Sequence, residues 1–209
     1  MLVIGVTGQT GAGKGTVCKM LEKYGLYHID ADKVAHSVYK KGSDVLLALS
    51  EAFGKDILNP DGTANRAKIA EKAFSSAENT EKLNSIVHPA VTQEIKAIIK
   101  EQSSLGTKGV LLDAIALFES GENRLCDFTF AVIAPEKMRL ERIMVRDGIE
   151  KNAALRRIRA QKDESFYKNH ADIIIKNYPP YNLDDEVKKV LLWACLLYTS
   201  PSPRDRQKS

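Results

Sequence analysis

The run Gly8-Gln-Thr-Gly11-Ala12-Gly13-Lys14-Gly15-Thr16 constrains this chain more than any other segment. It fits the pattern G-x-x-x-x-G-K. An apolar, β-branched run, residues 2–7, leads into it. Val17, Met20, Leu21 and Tyr24 follow at helical spacing, and Gly25 supplies a stop. Strand, glycine-rich turn, lysine and helix in that order are what a phosphate-cradling loop requires. Glycines let the backbone approach phosphate closely, successive N–H groups line a concavity, and the helix N-terminus adds partial positive charge. Gly8, Gly11, Ala12, Gly13, Lys14, Gly15 and Thr16 are therefore expected to bind ATP, with Lys14 as a point charge on the β and γ phosphates. The usual loop has Ser or Thr directly after the lysine, where its hydroxyl meets Mg²⁺. Here Gly15 takes that place. Thr16 is expected to touch a phosphate or the metal, directly or through water.

The rest of the chain reads as α/β. Short apolar runs at residues 26–29, 110–113, 128–134 and 171–175 alternate with helical patterns. They predict a five-stranded, mostly parallel sheet with helices on both faces. Two stretches exceed a simple crossover. About eighty residues separate the second and third strands. They read as helices through residues 34–39 and 44–53, a turn at Asn59-Pro60-Asp61-Gly62, and helices on either side of His88-Pro89. Residues 146–169 are charged and helical, as a mobile lid or a solvated helix pair would be. A C-terminal helix is expected over 178–197. Residues 198–209 are Pro, Ser and charge without periodicity and are expected to be disordered, resembling translated vector sequence.

Two further groups complete a phosphoryl-transfer reading. Asp30 and Asp32 follow the second strand. Treated as extended chain, they point the same way and could serve a hydroxyl nucleophile and a metal. Either could equally cap the helix that follows. Arg139, Arg142 and Arg146 recur at helical spacing after Pro135, and Arg156, Arg157 and Arg159 follow. At least one is expected to meet phosphate. Asp113 ends an apolar strand, as a metal-binding carboxylate can.

Charge and cysteine content exclude other classes. Net charge is +4, of which residues 196–209 supply +2. A near-neutral body gives no case for nucleic acid. Cys18, Cys126 and Cys195 are far apart and form no CxxC, so buried or inert thiols in a reducing cytosol are expected. No apolar run approaches membrane-spanning length. A guanine-reading N-K-x-D segment is missing, which argues against a GTPase switch.

The ordered set of motifs resembles bacterial dephospho-CoA kinase. The resemblance runs over about residues 2–177. It rests on the loop at 8–16, on Asp30-Ala31-Asp32-Lys33-Val34-Ala35, on Asp61-Gly62-Thr63 with Asn65-Arg66, and on Leu83-Asn84 with His88-Pro89. Leu117-Phe118-Glu119, Arg142 with Arg146-Asp147, Arg157-Ile158 with Gln161, and Ala171-Asp172 with Asn177 extend it. It departs at His36, where the family commonly has Arg, at Ile115-Ala116 in place of Pro-Leu, and at Gly15 in place of Ser. The resemblance implies a P-loop NTPase core over 1–35 and 86–177, a lid near 146–169, and a helical insertion over 36–85 for the CoA-like substrate. It implies transfer of the ATP γ-phosphoryl to the 3′-hydroxyl of dephospho-CoA with Mg²⁺. Asp32 would be the base, Lys14 and Arg142 would act on phosphate, and Asp30, Asp32 and His88 would hold the acceptor. A cytoplasmic monomer is expected. A nucleoside or nucleotide monophosphate kinase is the alternative that Gly-Lys-Gly-Thr encourages.

Overall fold

The computed structural model describes residues 1–199: of the tail expected to be disordered over 198–209, residues 198 and 199 instead continue the last helix, and 200–209 lie outside the described residues. The chain forms two compact units. One comprises Met1–Ile29 with the described residues from Gln102 onward, and the other is Asp30–Glu101. The second is wider than the helical insertion over 36–85 that the resemblance implies.

The first unit is built on a parallel sheet of five strands: β1 (Leu2–Gly8), β2 (Leu26–Asp30), β3 (Gly109–Asp113), β4 (Phe128–Ile133) and β5 (Ile173–Lys176). Their spatial order is β2-β3-β1-β4-β5. β1 is central. Val3 and Val6 face Val110 and Asp113 of β3, and Ile4 and Gly8 face Phe128 and Val132 of β4. β1 and β4 are buried along almost their whole length, which is why they read as continuous apolar runs. The chain leaves β1 at the point where neighbours on its two sides are reached by separate crossovers, and ligands of parallel sheets bind at such switch points.

Helix α1 (Lys14–Glu22) places Val17, Cys18 and Leu21 against Ile4, Val6, Leu111, Phe130 and Ile175. The helix numbered α9 in chain order (Leu183–Thr199) adds Val187 and Val190 to the same core. Each such fully buried aliphatic or aromatic side chain stabilises by about 1.5–3 kcal/mol. Between β4 and β5 run α6 (Glu136–Asp147), α7 (Lys151–Arg159) and α8 (Glu164–His170). Ile143, Ala154 and Ile158 join α6 to α7 in a small apolar cluster of their own.

The second unit holds α2 (Ala31–Ser37), α3 (Asp44–Phe53), α4 (Arg66–Ala73) and most of α5 (Ala77–Ser104). The turn at Asn59 forms as expected: Gly62 N–H donates to the Asn59 carbonyl at 2.8 Å, and Gly62 has φ 80°. The break expected at His88-Pro89 does not occur. α5 runs unbroken for 28 residues with Pro89 inside it. Pro89 cannot donate to the carbonyl one turn earlier. Continuity is maintained by a buried stripe at Leu83, Val87, Val91 and Ile95, spaced by four on both sides of the proline.

Candidate active site

The loop between β1 and α1 is a backbone structure held from behind by side chains distant in sequence. Gly8 has φ 133°, and a Cβ there would collide with the main chain of Val132. Gly13 has φ 99° and caps α1 in a left-handed conformation; a Cβ there would strike the Asn177 amide. Only glycine fits either position at low energy. Asn177, just beyond β5, donates from Nδ2 to the Ala12 carbonyl at 2.8 Å. Gln161, just beyond α7, accepts from Thr10 N–H through Oε1 at 2.6 Å. Both residues were part of the sequence resemblance without a stated role. Their contacts with the loop span the chain, so no local pattern discloses them.

Lys14 Nζ donates to the Gly8 carbonyl at 3.2 Å, so the ammonium lies back across the loop it belongs to. Gly15 and Thr16 are exposed at the start of α1, and the space where a Gly15 side chain would stand is open.

The arginines on α6 do not act as a group. Arg142 reaches the loop, donating to the carbonyls of Gly11 and Ala12 at 3.4 Å each and to Asn177 at 3.1 Å. Arg139 is 6% exposed, and its Nε has no hydrogen-bond partner. Burial holds its guanidinium pKa below the ordinary value, opposed by Glu136. Arg146 points elsewhere and pairs with its neighbour Asp147 at 2.7 Å, while Arg157 binds the same carboxylate at 2.5 Å. Hydrogen bonding from Arg146 holds Asp147 below the usual carboxylate range. One helical face thus sends three guanidinium groups to three different places.

Asp113 ends β3 opposite Val6. Its Oδ2 lies 3.4 Å from Nε2 of His28 and 3.9 Å from the Cys18 thiol, and Nδ1 of His28 lies 3.0 Å from Glu22. The neighbouring Asp113 carboxylate raises the His28 pKa. Burial, reinforced by Asp113, raises that of Cys18 strongly. Nothing in the sequence reading singled out His28 or gave Cys18 a role beyond a buried thiol.

In the second unit, Asp30 is the N-cap of α2, accepting from Lys33 N–H at 3.1 Å and pairing with Lys33 Nζ at 3.1 Å. Asp32 is exposed in the first turn of that helix. The two aspartates are therefore not alternate residues of one extended segment, because the helix begins at Ala31 directly after the strand. His88 is exposed, and α5 passes through it unbroken. His36 accepts or shares a hydrogen bond with Arg66 at 3.0 Å, and Arg66 also donates to the His36 carbonyl at 3.3 Å. His36 thus engages an arginine from α4.

The sequence model of the dephospho-CoA kinase family matches residues 2–180. A dephospho-CoA kinase of Corynebacterium efficiens is 41% identical over 86% of this chain and 90% of its own. One from Carboxydothermus hydrogenoformans is 39% identical over 84% and 85%. Among solved structures, a Thermus thermophilus protein superposes with a TM-score of 0.74 at 28% identity, over 96% of this chain and 98% of that one. A dephospho-CoA kinase from Campylobacter jejuni gives 0.66 at 26%, over 91% and 95%. Shikimate kinase from Acinetobacter baumannii, at 0.52 and 17%, shares the fold. With a glycine loop on the central strand and these relatives over most of its length, the chain belongs to the dephospho-CoA kinase family.

Proposed function

We propose that this protein transfers the γ-phosphoryl group of ATP to the ribose 3′-hydroxyl of dephospho-CoA, giving coenzyme A and ADP. The observation that carries the reading is the loop at 8–16, held at the end of the central strand by Asn177, Gln161 and Arg142. In such a reaction the acceptor oxygen forms a bond to phosphorus, and the bridging bond breaks with its electron pair going to ADP. The hydroxyl proton leaves to a base, the role we assign to Asp32. Lys14, turned from the Gly8 carbonyl towards the nucleotide, would offset charge on the β and γ phosphates. Positioning and fixed positive charge supply most of the rate in such chemistry.

Arg142 is best read as a positioning residue for the loop, because its donors already meet Gly11, Ala12 and Asn177. Asp30 would keep α2 in place as its cap, and Asp30 and His88 remain assigned to the acceptor side. Residues 146–169, with Gln161 on Thr10, are assigned to a lid. Mg²⁺ takes oxygen ligands and keeps much of its water. The loop end fits that demand with a single exposed hydroxyl, Thr16, while Gly15 offers none. Bound there, Mg²⁺ would neutralise charge between the β and γ phosphates. No helix among the described residues is long and apolar enough to cross a membrane. A cytoplasmic monomer is the reading we adopt.

ADP release measured with ATP and a panel of acceptors tests the reading. Dephospho-CoA should stimulate release far above AMP, CMP or uridine. Stimulation by AMP or CMP instead would move the protein to the nucleotide kinases.

A further inference from the structure

Cys18, His28 and Asp113 bring three different donor atoms together in the first unit, on α1, β2 and β3. Their sulfur, nitrogen and oxygen all lie within 4.8 Å of one another. A tetrahedral ion with Zn–S near 2.3 Å and Zn–N or Zn–O near 2.0–2.1 Å sets neighbouring donors about 3.3–3.6 Å apart. Observed separations are 3.4 Å for His28 Nε2 to Asp113 Oδ2 and 3.9 Å for Cys18 Sγ to the same oxygen. Small side-chain rotations close the difference.

The histidine is arranged as a ligand. Glu22 sits 3.0 Å from Nδ1, the outer carboxylate contact that fixes a ligating imidazole with its proton on Nδ1. Nε2 is then free to offer a lone pair into the cluster. It is buried and has no directed hydrogen bond.

We infer that Cys18, His28 and Asp113 bind one borderline-soft divalent cation of the zinc class, with Glu22 orienting His28. This goes beyond the kinase reading and does not depend on it. A hard cation such as Mg²⁺ is a poor match for a thiolate and an imidazole. Binding displaces the thiol proton to solvent, so thiolate and carboxylate balance the metal's two charges. Cys18 lies one turn after Lys14 on α1. The metal therefore ties the phosphate-loop helix to β2 and β3, and its natural effect is to stiffen the loop.

The test uses Co²⁺ as an optical probe for this site, on the full chain with Cys126→Ser and Cys195→Ser so that Cys18 is the only thiol. One Co²⁺ per chain should bind with a thiolate-to-cobalt charge-transfer band and tetrahedral visible bands. Zn²⁺ should displace it, and millimolar Mg²⁺ should not. Cys18→Ser and His28→Gln should each weaken binding about 100-fold or more, and Glu22→Gln about 10-fold, the range for an orienting partner. His28→Gln keeps the test open if Cys18→Ser fails to fold. Binding without a thiolate band, full affinity in His28→Gln, or displacement by Mg²⁺ would overturn the inference.

Discussion

The side-chain amide of Asn177 donates to the main-chain carbonyl of Ala12 at 2.8 Å, joining the end of the last strand to the phosphate loop that follows the first. Removing it with Asn177→Ala leaves the Ala12 carbonyl to Arg142 alone. The net loss of one such bond is about 0.5–1.5 kcal/mol. The KM for ATP should therefore rise several-fold with kcat little changed. Steady-state kinetics checks this, and a drop in kcat at constant KM would show that Asn177 acts on the transition state instead.

Lys14→Ala should lower turnover by about 10²–10³-fold, the scale for losing one positioned charge or donor. Circular dichroism and thermal melting should stay as for the parent protein, because Lys14 is a partly exposed side chain outside the core. Activity close to normal would remove Lys14 from the chemistry.

Asp32→Asn separates catalysis from capping. Asp30 is the residue that caps α2, so Asp32→Asn should leave stability nearly unchanged while cutting kcat far more than ATP affinity. Asp30→Ala should instead destabilise by about 1 kcal/mol through loss of the cap. Chemical denaturation of both variants, read beside their kinetics, distinguishes the two roles.

Gly15→Ser should fold normally, since a side chain there meets open space and the backbone is not in the left-handed region. It restores the hydroxyl that metal-binding loops have after lysine. Half-saturation should shift to lower Mg²⁺ concentration. An unchanged Mg²⁺ dependence would mean that Thr16 already supplies the only ligand the loop can give.

The three thiols should differ in reactivity. Cys195 is exposed, whereas Cys18 is buried and burial pushes the Cys126 thiol up to about 12. A thiolate-seeking reagent at neutral pH should modify one cysteine rapidly in the folded protein and three after denaturation. Of the thiols expected to be buried or inert, Cys195 is exposed, on a side of α9 where Leu192 and Leu196 also face outward.

Asp147 gives a pH signature. Its folded-state pKa is depressed by Arg146 and Arg157, so its stabilising effect is present above the unfolded value of about 3.9 and fades as pH falls through the folded one. Melting temperatures of the parent and Asp147→Asn should differ near neutral pH and converge in acid.

Legibility from sequence followed the range of the interaction. The loop, its lysine and the Asn59 turn depend on residues within a few positions, and each could be read directly. The strands were visible as apolar runs, with ends shifted by one or two residues, as at β5. The helix start at Ala31 was misplaced because a capping aspartate and a strand-end aspartate look alike until the backbone turns. Arg142, Gln161 and Asn177 were identifiable as residues of a family, but their contacts with the loop join positions 130 or more apart in the chain. The approach of His28 to Asp113 likewise depends on β2 lying beside β3, a neighbour relation that no local spacing encodes.

Pro89 has a consequence for how α5 should be regarded. Its ladder lacks one rung in the middle, yet the helix continues because Leu83, Val87, Val91 and Ile95 lie on one covered side. Excised as a peptide, residues 77–104 should split into two short, marginal helices. The continuity of that segment is thus conferred by its surroundings, and partial unfolding of the second unit should become detectable first as fraying at the proline.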